Sequence, residues 1–164
     1  MYEERPMPMI TPNLWFDTQA EEAAEFYVSV FPDASIVGVS RYGEGAPLPA
    51  GTVLTVDFEL GGQRFTALNG GPAFTFSEAI SLSIDAPTQT DIDYYWNTLT
   101  ADGGEPSQCG WLKDKYGLSW QVVPPILGEL MSGPDAARSA RVMQAMLQMT
   151  KLNIAELQAA ADAE

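Results

Sequence analysis

One unit of sequence occurs twice. Thr11 to Phe31 reads T-P-N-L-W-F-D-T-Q-A-E-E-A-A-E-F-Y-V-S-V-F, and Ala79 to Leu99 reads A-I-S-L-S-I-D-A-P-T-Q-T-D-I-D-Y-Y-W-N-T-L. In the first copy Leu14 and Phe16 alternate with Asn13 and Trp15, the pattern of a strand with two unlike faces. The period then lengthens: Ala20, Ala23, Ala24, Tyr27, Val30 and Phe31 recur at helical spacing. Thr18 followed by Glu21 fits a capping box at the helix start, and Pro32 stops the helix. In the second copy, 68 residues on, Leu82 replaces Leu14, Ile84 replaces Phe16, Asp85 matches Asp17 and Tyr95 matches Tyr27. Thr88 with Asp91 offers the second cap, and Ile92, Tyr95, Trp96 and Leu99 form the second apolar stripe. A strand–helix unit repeated once at this distance predicts two similar modules, since a solenoid needs several short repeats.

The segments between and after the copies fill in the plan. Residues 1–10 read as an extended arm, because Pro6 and Pro8 forbid a helix. Ile36, Val37 and Val39 predict a strand ending near Arg41, and 43–51 is a loop by composition, a candidate lid or subunit contact. Thr52 to Leu60 alternates, with Leu54, Val56, Phe58 and Leu60 on one face and Thr55, Asp57 and Glu59 on the other. Gly61-Gly62 is a tight-turn signal, with Arg64 to Leu68 as the returning strand. Residues 105–111 are an irregular strand at best, Lys113 to Gly117 is a turn, and Leu118 to Val123 is a strand closed by Pro124-Pro125. Ser132 with Asp135 caps a helix running to about Met149, striped by Val142, Met146 and Met149, and Asn153 with Glu156 caps a last short helix. Module one thus spans about 10–70, module two about 76–124 and a helical tail about 132–163, within one domain of 164 residues.

Charge and missing residue types narrow the chemistry. Eight basic residues stand against 22 acidic ones, a formal charge of −14 that repels nucleic acid and anionic membrane. The basic side chains, among them Arg5, Arg41, Lys113 and Lys151, are scattered along the chain. No signal peptide or spanning stretch is evident, so a cytoplasmic location is expected. Without histidine the usual metal ligand and the usual neutral-pH base are missing. Cys109, the single cysteine, reads as a partly buried small hydrophobe. No glycine-rich phosphate loop follows the first strand, so a doubly wound nucleotide or S-adenosylmethionine site has no support. Asp57 and Glu59 share the polar face of a strand whose other face is apolar. They act as acid or base if that face lines a cavity, and are merely solvated if it faces water.

The segments L-W-F-D…A-A-E-F-Y, F-E-L-G-G-Q-R-F, N-G-G-P-A-F-T-F-S-E-A-I-S-L and especially C-G-W-L-K-D-K-Y-G-L-S-W-Q-V-V-P resemble the PhnB-like branch of the vicinal oxygen chelate superfamily. Glyoxalase I, bleomycin resistance proteins and extradiol dioxygenases are its wider relatives. Many members of the branch carry the label 3-demethylubiquinone-9 3-methyltransferase. The resemblance implies an α+β fold of paired beta-alpha-beta-beta-beta modules forming a cupped mixed sheet, here with extra C-terminal helices. Metal-using relatives place four ligands on that sheet. Matching their motifs puts the four positions at Thr11, Thr66, Ala79 and Gln121, a set that cannot hold a divalent ion as His and Glu do. No metal or other cofactor is therefore expected.

Strand parity on the implied fold gives the cavity Asn13, Trp15, Thr66, Ser81, Ser83 and Gln121, with Trp111 nearby. Small polar groups beside tryptophan suit a small neutral or aromatic molecule, unless these residues pack on one another or on a partner subunit. The preferred reading is a metal-independent small-molecule binding protein. A glyoxalase-type lyase or isomerase is the alternative, and the methyltransferase of the family label stands behind it. Glu78, Asp57 and Glu59 are the catalytic candidates, Glu78 because it borders the vacant position at Ala79. The apolar stripe of the tail and the open sheet edges lead to the expectation of a homodimer.

Overall fold

A computed structural model describes residues 6–164, so the first half of the expected N-terminal arm lies outside the described residues. The chain divides into two compact units, one ending at Thr75 and one running from Phe76 to Glu164. The first unit contains β1 (Asn13–Phe16), α1 (Ala20–Val30), β2 (Ala34–Arg41), β3 (Val53–Leu60) and β4 (Gln63–Asn69). The second contains β5 (Ser81–Asp85), α2 (Gln89–Thr100), β6 (Glu105–Pro106), β7 (Trp111–Lys113) and β8 (Ser119–Val123), then α3 (Ile126–Met131), α4 (Ala136–Leu147) and α5 (Ile154–Asp162). The strand orders are β1-β4-β3-β2 and β5-β8-β7-β6. In each sheet the first strand runs parallel to the last, and the other pairs are antiparallel. The sequence repeat is thus a repeat of connectivity within an α+β fold.

The first unit's core follows from the alternation. Leu14, Phe16, Val56, Phe58, Phe65 and Ala67 are buried, and α1 lies against β3 and β4 with Ala20, Ala23, Ala24, Tyr27 and Val30 buried. The Tyr27 and Phe58 rings stack at 6.0 Å and Phe58 and Phe65 at 5.4 Å, a spacing at which aromatic faces attract. Gly61 and Gly62 both have positive φ, the backbone that a two-residue hairpin requires and that glycine alone adopts without steric cost. The start of α1 differs from expectation. Gln19 occupies the cap position without a side-chain bond, and Thr18 and Glu21 form no capping box. Asn69 at the end of β4 serves instead: its Oδ1 accepts from Ala20 N at 2.9 Å while its Nδ2 donates to Val53 O. A buried amide thereby ties helix start to sheet, and satisfies both of its own ends.

The second unit keeps the plan with a local cap. Thr88 and Asp91 form the reciprocal capping box at the start of α2, whose Ile92, Trp96 and Leu99 are buried. The helix covers β7 and β8, where Leu112, Trp120 and Val122 are buried. The tail belongs to this unit. Cys109 N and Gly110 N donate to Met149 O and Thr150 O, and Gln89 bonds Leu152 O and Ile154 N. Asp135, not Ser132, caps α4, which ends at Leu147, while Asn153 caps α5 as expected. Pro124-Pro125 closes β8 as expected, and Pro125 then stands at the cap of the short helix α3. Proline suits a helix start, where its missing N–H would have no partner. Val142 and Met149 are buried with Leu127, Leu130, Leu152, Leu157 and Ala161, and Met146 packs against this cluster. The tail stripe therefore has its partner within the chain, which removes the tail's share of the case for a dimer.

Candidate functional site

Each sheet has one face under its helix and one polar face. In the first unit the polar face carries Asn13 beside Thr66 and Trp15 beside Leu68. Thr66 lies next to Asp57 across β3 and donates its hydroxyl to the Asp57 carboxylate at 2.5 Å. Glu59 pairs with Arg64 at 3.5 Å on the next rung, with both side chains substantially exposed. Asn13 is exposed and donates to Thr11 O. Asp57 and Glu59 are both half-buried, but Asp57 is the one bonded to a hydroxyl, the arrangement of a positioned carboxylate.

Trp15 is already engaged by its own chain. Its Nε1 donates to Gly71 O at 2.9 Å, and Phe74 meets the indole edge-on with centroids 5.0 Å apart. Gly70 lies so close that a Cβ there would come within 2.3 Å of the indole ring. The expected ligand platform thus anchors the segment that follows β4, with its polar handle spent.

In the second unit the polar face carries two rungs. Lys113, Ser119 and Ser81 lie side by side across β7, β8 and β5, and Trp111, Gln121 and Ser83 form the next rung. Gln121 Nε2 donates to Ser81 Oγ at 2.9 Å, bridging the rungs. Ser119 is 1% exposed, and among the described residues its Oγ has no hydrogen-bond partner. The Glu78 carboxylate reaches Lys113 Nζ at 2.5 Å from the segment preceding β5. That ammonium and its hydrogen bond hold the Glu78 carboxyl below the ordinary carboxylate range and raise Lys113 above the usual amine value.

The register corrects one equivalence. Asn13 and Ser81 hold the same place in the repeat, yet Asn13 lies beside Thr66 and Ser81 beside Ser119. The counterpart of Thr66 is therefore Ser119, and that of Gln121 is Leu68. Gln121 stands four residues after Gly117 and Thr66 four after Gly62, which suggests that the two correspond, but the β3–β4 turn is two residues whereas β7 and β8 are joined by 114–118. Asp114 builds that loop: its Oδ1 accepts from Tyr116 N and Leu118 N, and its Oδ2 from Trp120 Nε1. Much of the segment K-D-K-Y-G-L-S-W is thus accounted for by architecture.

The four positions at which metal-using relatives hold an ion do not fit one here. Ala79 offers only a methyl group, and Thr11, Thr66 and Gln121 offer neutral hydroxyl or amide oxygens with no anionic or imidazole ligand among them. Among the described residues no three His, Cys, Asp or Glu side chains gather where they could hold an ion. Sequence reasoning named Glu78, Ser81, Ser83, Trp111 and Gln121, which this face brings to one strip or its border. It missed Lys113 and Ser119, whose signal was the alternation of Trp111 and Lys113 about buried Leu112.

Two mixed sheets of like connectivity, with helices over one face of each, define a glyoxalase/bleomycin-resistance-like fold. The profile of the family described as 3-demethylubiquinone-9 3-methyltransferase matches residues 8–123, and the chain belongs to that PhnB-like family of the vicinal oxygen chelate superfamily. A solved structure described as a putative 3-demethylubiquinone-9 3-methyltransferase, PhnB protein, from Bacillus cereus is 37% identical. The match covers 71% of this chain and 99% of that one, with a TM-score of 0.65. Protein PA1353 from Pseudomonas aeruginosa is 20% identical over 71% of this chain and 96% of its own, TM-score 0.57. The fosfomycin resistance protein FosX from Listeria monocytogenes is 15% identical over 77% and 98%, TM-score 0.53. These last two show likeness of fold. The comparison with curated proteins finds no match.

Proposed function

We propose that the protein binds a small molecule on the polar face of its second sheet and does so without a divalent metal. The observation that carries this reading is the Ser119 hydroxyl, buried and without a partner among the described residues, in a strip of hydrogen-bonding side chains. A buried polar group without a partner costs about 1–3 kcal/mol, so a strip that retains one is built to be completed by something else. Trp111 supplies an aromatic wall on the same face, and Ser81 and Gln121 supply oriented polar groups. Titration of a chemically broad library against tryptophan fluorescence and the Trp111 indole resonance tests it. No saturable change from any member overturns it, and close to one tightly held zinc, nickel, manganese or iron per subunit overturns the metal-independent part.

The half-buried Asp57 with its Thr66 partner favours a second reading, a lyase or isomerase in the glyoxalase manner with Asp57 as base. The methyltransferase of the family description has less behind it. Each sheet has a single parallel pair, whereas doubly wound nucleotide sites lie at the ends of adjacent parallel strands. Among the described residues no helix is long and apolar enough to cross a membrane. With the charge of −14, a cytoplasmic protein that engages neither nucleic acid nor membrane is the consistent reading. A homodimer belongs to the same proposal. Its surface would be the edge strand β2, where Ile36, Val37 and Val39 are exposed and no acidic residue occurs. Light scattering at micromolar concentration checks this, and a mass near 17.8 kDa rejects it.

A further inference from the structure

Resting on that reading of the second sheet's face, we infer that the ligand is an organic carboxylate, whose place on Lys113 is held in the free protein by Glu78. The strip places one cation beside its serines, with Glu105 on the other side of it across β6 and β7. Lys113 lies directly beside Ser119 across β7 and β8, and side chains so paired in a sheet stand on the same face with their Cβ atoms about 5 Å apart. The Lys113 ammonium is not left to water, because the Glu78 carboxylate sits on it at 2.5 Å. The two partners differ in their hold on the protein. Lys113 rises from a strand inside the sheet and its side chain is 35% exposed. Glu78 belongs to the segment before β5 and its side chain is 62% exposed. When the pair opens, Glu78 is the partner that moves into solvent.

An exposed ion pair is held weakly, since water and salt screen it. An incoming carboxylate replaces it with the same charge and geometry, and adds what Glu78 does not use. Opening the pair lets Lys113 move off its neighbour, so that a second oxygen of the ligand can accept the Ser119 hydroxyl proton. Charge decides between anions. One ammonium neutralises a monoanion, whereas a phosphate dianion retains a charge beside a chain of net −14. A neutral ligand would have to break the ion pair or leave it unused, and gains nothing from either. Trp111, on the next rung, sets the preference for a flat hydrophobic body attached to the carboxylate.

Benzoate and its uncharged isostere benzamide are the probes, followed by tryptophan fluorescence and by the Trp111 and Gln121 side-chain resonances of the full chain. Benzoate should saturate these signals at least about tenfold more tightly than benzamide, the margin of one charge-assisted hydrogen bond. Glu78→Gln should tighten benzoate about threefold or more, because it removes the internal competitor that keeps Lys113 occupied. Lys113→Met should weaken benzoate at least about tenfold, and Ser119→Ala about threefold or more, with folding of each variant checked by circular dichroism. If Lys113→Met does not fold, the Glu78→Gln result decides alone. A merely structural Glu78–Lys113 pair would leave benzoate affinity unchanged or weaker in Glu78→Gln, and that result overturns the inference. Equal binding of benzamide overturns it too. Where benzoate fails while neutral library members shift Trp111 and Gln121, this inference falls and the small-molecule reading stands; where neither binds, both fall.

Discussion

Asp114 offers the sharpest test of the physical account. Its carboxylate is 2% exposed and holds three donors: Tyr116 N at 2.8 Å, Leu118 N at 3.1 Å and Trp120 Nε1 at 2.9 Å. Asp114→Ala deletes the acceptor for all three. Tyr116 is half-exposed, so water can reach its N–H, but Leu118 and Trp120 are each 2% exposed. Two buried donors that lose their acceptor cost about 1–3 kcal/mol each. Members of one network do not add fully, so the loss should be about 2–5 kcal/mol. Asp114→Asn separates the contributions. Its amide oxygen still accepts the two backbone donors, but its NH2 then faces the indole N–H, donor against donor, and the cost should fall to about 1–3 kcal/mol. Urea unfolding measures both. With a slope of about 1–3 kcal/mol per molar, the midpoint of Asp114→Ala should drop by about 1 M or more. Trp96, Trp111 and Trp120 report the second unit and Trp15 the first, so fluorescence with circular dichroism also shows whether the units unfold together. A loss below about 1 kcal/mol at unchanged slope would refute the claim that this carboxylate builds the β7–β8 loop.

Three further outcomes are expected. Gly70→Ala should displace the Trp15 ring, shifting its indole resonance and lowering stability by about 1–3 kcal/mol, because the added methyl would sit within 2.3 Å of the indole. Nuclear magnetic resonance titration should find Glu78 ionising below the ordinary carboxylate range and returning to it in Lys113→Met. Its depressed value means the pairing is present above the unfolded-state pKa and is lost as pH falls through the folded one; an unchanged Glu78 titration in the variant would discard the pairing. Met146→Asp should lower the melting temperature, at a cost of about 1–3 kcal/mol, without changing the mass seen by light scattering, since Met146 packs on the chain's own tail cluster. A change in mass with the fold intact would place that stripe between subunits.

What could be read in advance depended on how far each cause lay along the chain. The two modules were legible because alternation at Leu14–Phe16 and Leu82–Ile84 and the helical stripes after them are local patterns. Thr88 with Asp91 was legible for the same reason, since cap and partner are three residues apart. The corresponding reading at Thr18 failed because the group that satisfies Ala20 N is Asn69, 49 residues away. Trp15 was placed on the right face, but Gly70, Gly71 and Phe74 occupy it from a segment whose path no pattern announces. At the second sheet the residue types were visible and their pairing was not. Lys113 becomes a site residue only once β7 is set beside β8, and Ser119 only once its hydroxyl is seen to lack a partner.

The parallel pairing of first and last strands bears on how the chain is made. β1 ends at Phe16, and the strand that pairs with it, β4, starts at Gln63. During synthesis β1 and α1 emerge with nothing to lie against until the β3–β4 hairpin follows, so the nascent first module should be open to chaperones and proteases over that interval. Asn69, the final residue of β4, also delivers the bond that starts α1, so sheet closure and helix capping are one late event. The first module can complete this step before any of the β5–β8 sheet exists, whereas the second must wait for Val123 to close its sheet and for Leu152 and Leu157 to fill its tail cluster. A ribosome stalled within that interval would display a finished half-molecule beside an unfinished one.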